Sequence, residues 1–255
     1  MAKKKTTDEQ GPIEIAAMAV DMITMYIVGV TPIILNRMTE KAKHELLFPK
    51  GKKTAADKAA NLKHNPIEEF RASAYRMHDA DAETVLAVPA TAIKSALRDA
   101  ALSVPGAVKA EIGRLTWVPG ELLSLYGIPK LHMSVTRNSD TNKTPDVRTR
   151  TIVPRWAIKV QISYVSSLIR TAAVANLLAT AGRTIGIGDW RQGKGAGNYG
   201  QFRVCGAADQ ELREILQHGR ADQELALEDA APYDAETEEL LGWFSDECRH
   251  RGVGA

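Results

Sequence analysis

Between residues 156 and 205 the apolar pattern changes period twice, and this change constrains the fold more than any other feature of the chain. Trp156, Ile158, Val160, Ile162 and Tyr164 alternate with Lys159, Gln161 and Ser163, the period of a half-buried strand. Val174, Leu177, Leu178 and Ala181 then recur at helical spacing over 168–181, with Ser166 or Ser167 as cap and Gly182 as terminator. A glycine-rich loop at 186–200 leads into a short strand at 201–205, where Phe202 and Val204 share a face. Strand, helix and strand in this order predict a sheet covered by helix on one side.

The preceding residues supply the same alphabet. Residues 22–35 are apolar and β-rich and predict one long, buried strand. Pro89 opens a helix over 90–104, striped by Ile93, Leu97, Ala100 and Val104. Residues 130–137 alternate, with Leu131, Met133 and Val135 on one face and His132, Ser134 and Thr136 on the other. Residues 138–147 have loop composition, and 111–128 reads as an extra hairpin or extended segment. Strand, helix, strand, strand, helix, strand is the order of an α+β, ferredoxin-like or RRM-like βαββαβ core. The expected organisation is a flexible segment at 1–21 and a core domain at 22–206 with an insertion at 38–83. An acidic helical tail follows at 207–255.

Charge divides along the same boundary. Residues 1–206 carry 29 Lys and Arg against 18 Asp and Glu; residues 207–255 carry 4 against 13. A basic body with an acidic tail points to a polyanionic partner, or to two solvated faces of one protein. Two cysteines and six scattered histidines form neither a disulfide framework nor a metal-ligand spacing, and no cofactor is expected. No apolar run reaches the roughly 18 residues of a membrane span, and the lysines near Met1 precede no apolar stretch. The expectation is a cytoplasmic chain without a membrane partner.

The loop GIGDWRQGKGAGNYG mimics two phosphate motifs without their settings. Gly188 to Gly195 nearly spells a P-loop but lacks the terminal Ser or Thr and the helix that should follow. Gly195, Gly197 and Gly200 spell a dinucleotide fingerprint that follows a helix and precedes a strand, the reverse of the required order. What remains is general. Six glycines let backbone N–H groups approach a phosphate, Arg191 and Lys194 add charge, and Trp190 and Tyr199 offer stacking faces.

The loop followed by Gln201-Phe202-Arg203-Val204 resembles the glycine-rich signature of the RAMP superfamily, the RRM-like proteins of CRISPR effector backbones. Val88-Pro89-Ala90-Thr91-Ala92-Ile93-Lys94-Ser95-Ala96-Leu97-Arg98 is similar to the segment opening that family's first helix. Val28-Gly29-Val30-Thr31-Pro32-Ile33 is similar to the end of its first strand. Ala90 and Ser95 replace glycines usual in the family. RNA-cutting members carry an Asp soon after the first strand. Here that stretch is Asn36-Arg37-Met38-Thr39-Glu40-Lys41, with no Asp before Asp57, and Glu40 and Glu45 are poor substitutes. The resemblance implies side-by-side assembly on a single strand, with the lysine-rich stretch 38–66 reaching over it as a thumb.

The expected function is therefore a non-catalytic, sequence-tolerant binder of single-stranded DNA or RNA that self-associates into a filament or ring. It would act as a guide-RNA scaffold or in recombination, annealing or replication. A RAMP-type RNA endonuclease and a structural oligomer are the alternatives. The candidate contacts are Arg37, Lys41, Lys43, Lys52 and Lys53 after the first strand; Lys94 and Arg98, four apart on the first helix; and Arg148, Arg150 and Arg155 around the third strand. Trp190, Arg191, Gly193, Lys194, Gly195, Gly197, Asn198 and Tyr199 of the loop complete the set. Two roles stand open for the tail: an acidic competitor for the groove or recruiter of a protein partner, or a helix that packs through Leu240, Leu241, Trp243 and Phe244.

Overall fold

A computed structural model describes residues 17–48, 64–137, 145–194 and 197–252. The first strand, β1 (Val20–Gly29), pairs with β10 (Phe202–Cys205) on one side and β9 (Ala157–Val165) on the other. Beyond β9 lie β5 (Thr116–Trp117) and β6 (Leu122–Tyr126), then β4 (Leu86–Pro89) and β3 (Tyr75–Arg76), all antiparallel. Helices α3 (Ala90–Ala100) and α5 (Thr171–Thr184) pack against each other within the main core. The order β10-β1-β9-β6, with these helices at the crossovers, is the ferredoxin-like core, and the fold is α+β.

Three assignments differ from the sequence reading. The stretch 22–35 is two strands: β1 starts at Val20 and ends at Gly29, and β2 (Ile33–Leu35) joins a second sheet. Pro32 lies in the break, where its missing N–H does no harm. The second core strand is β6, inside the stretch read as an extra segment. The alternating 130–137 strand is instead β7 (Lys130–Arg137), which forms the second sheet with β2 and β8 (Pro145–Val153). The loop composition of 138–147 also conceals the first residues of β8.

Glycines set the close approaches in the core. Gly29 crosses the indole of Trp156, where a Cβ would lie 2.2 Å from Nε1. Gly182 does not terminate α5 but lies within it. A Cβ there would meet the Phe202 carbonyl oxygen at 2.1 Å, so the glycine lets helix and strand touch. Helix α4 (Lys109–Leu115) flanks α3. The segment after β2 carries α1 (Glu40–Leu47), capped by Thr39, and α2 (Pro66–Ser73), capped by Asn65 with Pro66 in its first turn. Ser73 and Thr151 exchange buried hydrogen bonds that tie α2 to β8.

The acidic segment forms α6 (Gln210–Leu216), α7 (Arg220–Asp229) and α8 (Ala235–Arg251), and it is docked. The fully buried Gln223 of α7 accepts hydrogen bonds from Val85 and Leu86 N–H and donates to the Leu125 and Gly127 carbonyls. Thr237 of α8 caps the edge of β7 at Met133, and Leu240 and Leu241 pack on the core; Trp243 is exposed. A free polyanion competing for a groove does not fit these contacts. Among the described residues no helix is long and apolar enough to cross a membrane.

Gln223→Ala strands two buried N–H groups and two carbonyls. Each unsatisfied group costs about 1–3 kcal/mol before relaxation, so a loss of at least about 3 kcal/mol of folding stability is expected. A thermal or urea melt indistinguishable from wild type would show that α7 contributes little to the fold.

Candidate functional site

The polar face of the β7–β8 ladder makes the floor of a cleft. In this register His132 sits opposite Arg150, Ser134 opposite Arg148 and Thr136 opposite Asp146, so three polar pairs share one side. Ile34 and Arg137 extend the floor, and Asp189, Trp190 and Lys194 of the glycine loop form the wall of this cavity of about 620 Å³. A second cavity of about 320 Å³ continues past Ile34, Asp189 and Lys194. It is bounded by Arg191, Tyr75 and Asn36, and by Thr91, Ala92 and Ser95 at the start of α3.

The loop holds its position through the break between β1 and β2. Val30 and Thr31 N–H donate to the Gln201 carbonyl, Gly200 N–H donates to that of Pro32, and Gln201 N–H donates to the Thr31 hydroxyl. Asp189 N–H donates to the Ile34 carbonyl, and the Trp156 indole N–H donates to the Thr31 carbonyl. Trp190 adopts a left-handed backbone, φ 51°, a conformation that costs a non-glycine residue on the order of 1 kcal/mol. Its ring stacks on Tyr199, centroids 5.9 Å apart, and remains 43% exposed. Gly197 lies against it, where a Cβ would come within 1.7 Å of the Trp190 carbonyl oxygen.

Charge in the cleft is mixed. Arg150 is partly buried; burial lowers its pKa, its Nη1 donates to the Thr149 carbonyl, and its Nε lies 3.9 Å from Asp189. Arg148 lies 3.6 Å from Asp146, and Asp189 accepts from the Asn36 amide at 2.9 Å. His132 is 6% exposed, and neither ring nitrogen forms a hydrogen bond among the described residues. Its Nδ1 is 3.7 Å from Asp234 Oδ2, and the rings of Tyr199 and Tyr233 lie against it. No cluster of three or more potential metal ligands occurs among the described residues.

Of the residues singled out from sequence, Arg148, Arg150, Trp190 and Lys194 meet at one cleft, and Arg191 lines its continuation. Gly193, Gly197 and Tyr199 shape the loop behind them: Gly193 N–H donates to Ile185, and Tyr199 bridges Arg191. Asn198 is exposed beside them. Lys94 and Arg98 are elsewhere. Helix α3 turns Thr91, Ala92 and Ser95 to the second cavity, while Arg98 lies over Gly113 and pairs with Asp99. Asp99 also binds Lys109, a neutralisation that spacing along α3 alone does not reveal. Arg155 pairs with Glu214 of α6, and Arg37 and Lys43 share Glu40. The Lys41 side chain, Lys52, Lys53 and Gly195 lie outside the described residues, as does most of the lysine-rich stretch. Sequence reasoning missed His132, Arg137 and Asp189. The first two stood in plain view on and at the end of an alternating strand, facing the arginine-bearing strand that follows.

No protein-family model matches the chain, and no curated relative matches it. Among solved structures it is similar to Cmr6 from Pyrococcus furiosus, at 10% identity and TM-score 0.36, covering 74% of this chain and all of that one. It is also similar to a chain of the Type III-B Cmr-beta complex bound to cognate target RNA, at 13% identity and TM-score 0.31, covering 72% of this chain and 59% of that one.

Gly197→Ala drives a methyl group into the Trp190 carbonyl and is expected to unstack Trp190 from Tyr199. A shifted tryptophan emission with unchanged far-ultraviolet circular dichroism reads this; an unchanged emission spectrum contradicts it.

Burial holds the His132 imidazole below its ordinary value of about 6.5, against the upward pull of Asp234 and Glu236. Between that value and the folded one, the unfolded chain binds more protons at this position. His132 therefore lowers stability as pH falls through that window and has no such effect above it. An NMR titration should show this ring protonating below pH 6.5; a midpoint at or above it contradicts the burial.

Proposed function

We propose that this chain binds single-stranded nucleic acid without cutting it, tolerates many sequences, and assembles side by side along the strand. The observation that carries the reading is the cleft itself. Arg137, Arg148, Arg150 and Lys194 surround a half-exposed tryptophan braced from behind by a tyrosine. Cations track a phosphate backbone and an aromatic face stacks any base, a combination that needs no particular sequence. The continuation past Arg191 provides a path for neighbouring nucleotides. RNA is the strand of choice, because Ser134 and Thr136 present hydroxyls on the cleft floor that suit a 2′-hydroxyl.

Binding without cleavage rests on the sequence: the stretch Asn36-Arg37-Met38-Thr39-Glu40-Lys41 after the first strand carries no Asp, where RNA-cutting members of the resembled family have one. Side-by-side assembly follows the resemblance of the loop and helix motifs and is supported by Met18, Val20 and Met22, apolar and exposed at the start of β1. The role is that of a strand scaffold within a larger assembly.

The test is binding to labelled single-stranded RNA and DNA across a salt series. Affinity should fall with log salt by about 0.7 per phosphate neutralised, and Arg148→Ala with Lys194→Ala should flatten that slope. Trp190→Ala should cost about 1–3 kcal/mol of binding. A flat salt response or preference for duplex defeats the reading, and shortened RNA on a denaturing gel defeats its non-catalytic half.

A further inference from the structure

At the far end of the second cavity arginines gather with too few acids to match them. Asn36 and Tyr75 line that cavity, and the residue that follows each of them is a cation, Arg37 and Arg76. The backbone ties these positions together. Arg37 N–H donates to the Ser73 carbonyl at 2.8 Å, and Arg76 Nη2 reaches the carbonyl of Arg71, in the last turn of α2, at 3.5 Å. Arg71 in turn donates through Nε and Nη2 to the Leu227 and Glu228 carbonyls at the end of α7, which fixes its place. One carboxylate serves the group: Glu40 pairs with Arg37 and is shared with Lys43. Among the described residues no carboxylate forms an ion pair with Arg71 or Arg76; Glu68, Glu228 and Asp229, on the helices that flank them, form none. Arg76 is exposed at the surface, yet partial burial and then the charges of Arg37 and Arg71 hold its pKa below the ordinary arginine value. A guanidinium keeps its proton in a protein, so the repulsion persists until an anion arrives.

Resting on the single-strand reading, we propose that Arg76, backed by Arg37 and Arg71, binds a backbone phosphate of the strand where it leaves the second cavity. The strand runs from Trp190 past Lys194 and Arg191, through the cavity that Asn36 and Tyr75 line, and meets Arg76 outside. Asp189, the carboxylate in that lining, belongs to the loop wall and accepts from Asn36 at 2.9 Å. A phosphodiester carries one negative charge and two free oxygens, which match the forked N–H groups of a guanidinium. Such a contact positions the strand and reads no base, in keeping with tolerance of sequence. An acidic protein surface would meet the same charges. The strand is favoured because the cluster continues a groove whose walls already carry Arg191, Lys194 and an exposed tryptophan.

The experiment is fluorescence anisotropy on a length series of labelled single-stranded RNA, with the full chain and its variants. Wild type should gain affinity in a step once the strand is long enough to pass the second cavity and reach Arg76. Arg76→Gln should remove that step, about tenfold at low salt, and lower the salt slope for longer strands by about 0.7, with shorter strands unaffected. Arg76→Lys, which keeps the charge, should keep the slope. A thermal melt without RNA gives a readout that needs no strand: losing an unneutralised charge should leave Arg76→Gln as stable as wild type or more so. A lower melting temperature assigns Arg76 to the fold and overturns the site. Equal affinities of wild type and Arg76→Gln at every length, while Trp190→Ala still weakens binding, overturn the site and leave the single-strand reading standing. Altered sedimentation of Arg76→Gln without RNA, at unchanged RNA affinity, gives the cluster to a protein surface and overturns the proposal. If wild type binds no strand of any length, the single-strand reading fails and the site resting on it fails with it.

Discussion

The structure depends on the three-residue break between β1 and β2. At Val30, Thr31 and Pro32 the chain leaves the large sheet, and its backbone groups lose their ladder partners. The end of the glycine loop supplies replacements: Gln201 accepts from two N–H groups, and Gly200 donates to the Pro32 carbonyl. The buried Trp156 indole takes the Thr31 carbonyl. Backbone groups in a core must be paired, so the loop is held there by the same bonds that make the break tolerable. Proline at the break and glycine in the loop are two halves of one solution. Pro32 has no N–H to satisfy, and Gly200, at φ +71° with the Ile187 carbonyl 1.7 Å from where a Cβ would stand, admits no side chain.

From this junction the site follows. Ile33 to Leu35 continue into the second sheet, which carries the His132, Arg148 and Arg150 face, while the loop hangs Asp189 and Trp190 opposite. The Ile34 carbonyl receives the Asp189 N–H, so loop and floor are fastened at one point. A seam between two sheets, with cations on the second sheet and an aromatic ring on the loop fastened to it, needs little reorganisation to accept a flat, charged ligand. The strained backbone of Trp190 fits this view, because the stack on Tyr199 and the contact with Gly197 hold it in place.

Local periodicity made the ferredoxin-like core legible. The alternation at 156–164 and the stripe of Val174, Leu177 and Leu178 report burial that the structure realises. What stayed hidden depends on contacts across the chain. A strand that changes sheets stays apolar throughout, so 22–35 reads as one element. The β6 sequence LLSLY shows no alternation, and its first three residues are only partly buried. The start of β8 has turn-forming residues and is exposed or only partly buried, so it carries no apolar signal. At the site, the loop cations and aromatics were visible as composition, and so were the arginines of β8. The pairing of His132 with Arg150 exists only once the register is known. Lys94 and Arg98 share a helix face, as their spacing indicates, but spacing alone does not show what that face meets, and Arg98 pairs with Asp99 away from the cleft.

The division of charge along the sequence also takes on a different meaning in three dimensions. Summed, the first 206 residues look broadly basic, and the remainder looks like a tethered polyanion. Folded, the acidic helices sit against the body and occupy particular cations. Arg203 holds Asp209 and Glu211, which drives the Asp209 carboxyl down to about 2, and Arg155 holds Glu214. Arg71 and Arg220 are spent on backbone carbonyls at the seam. At the cleft Lys194 is exposed, while Arg148 and Arg150 lie beside Asp146 and Asp189. Charge counted along the sequence therefore says little about where a polyanion would be drawn, because long-range attraction follows the field summed in space and not the local count of lysines.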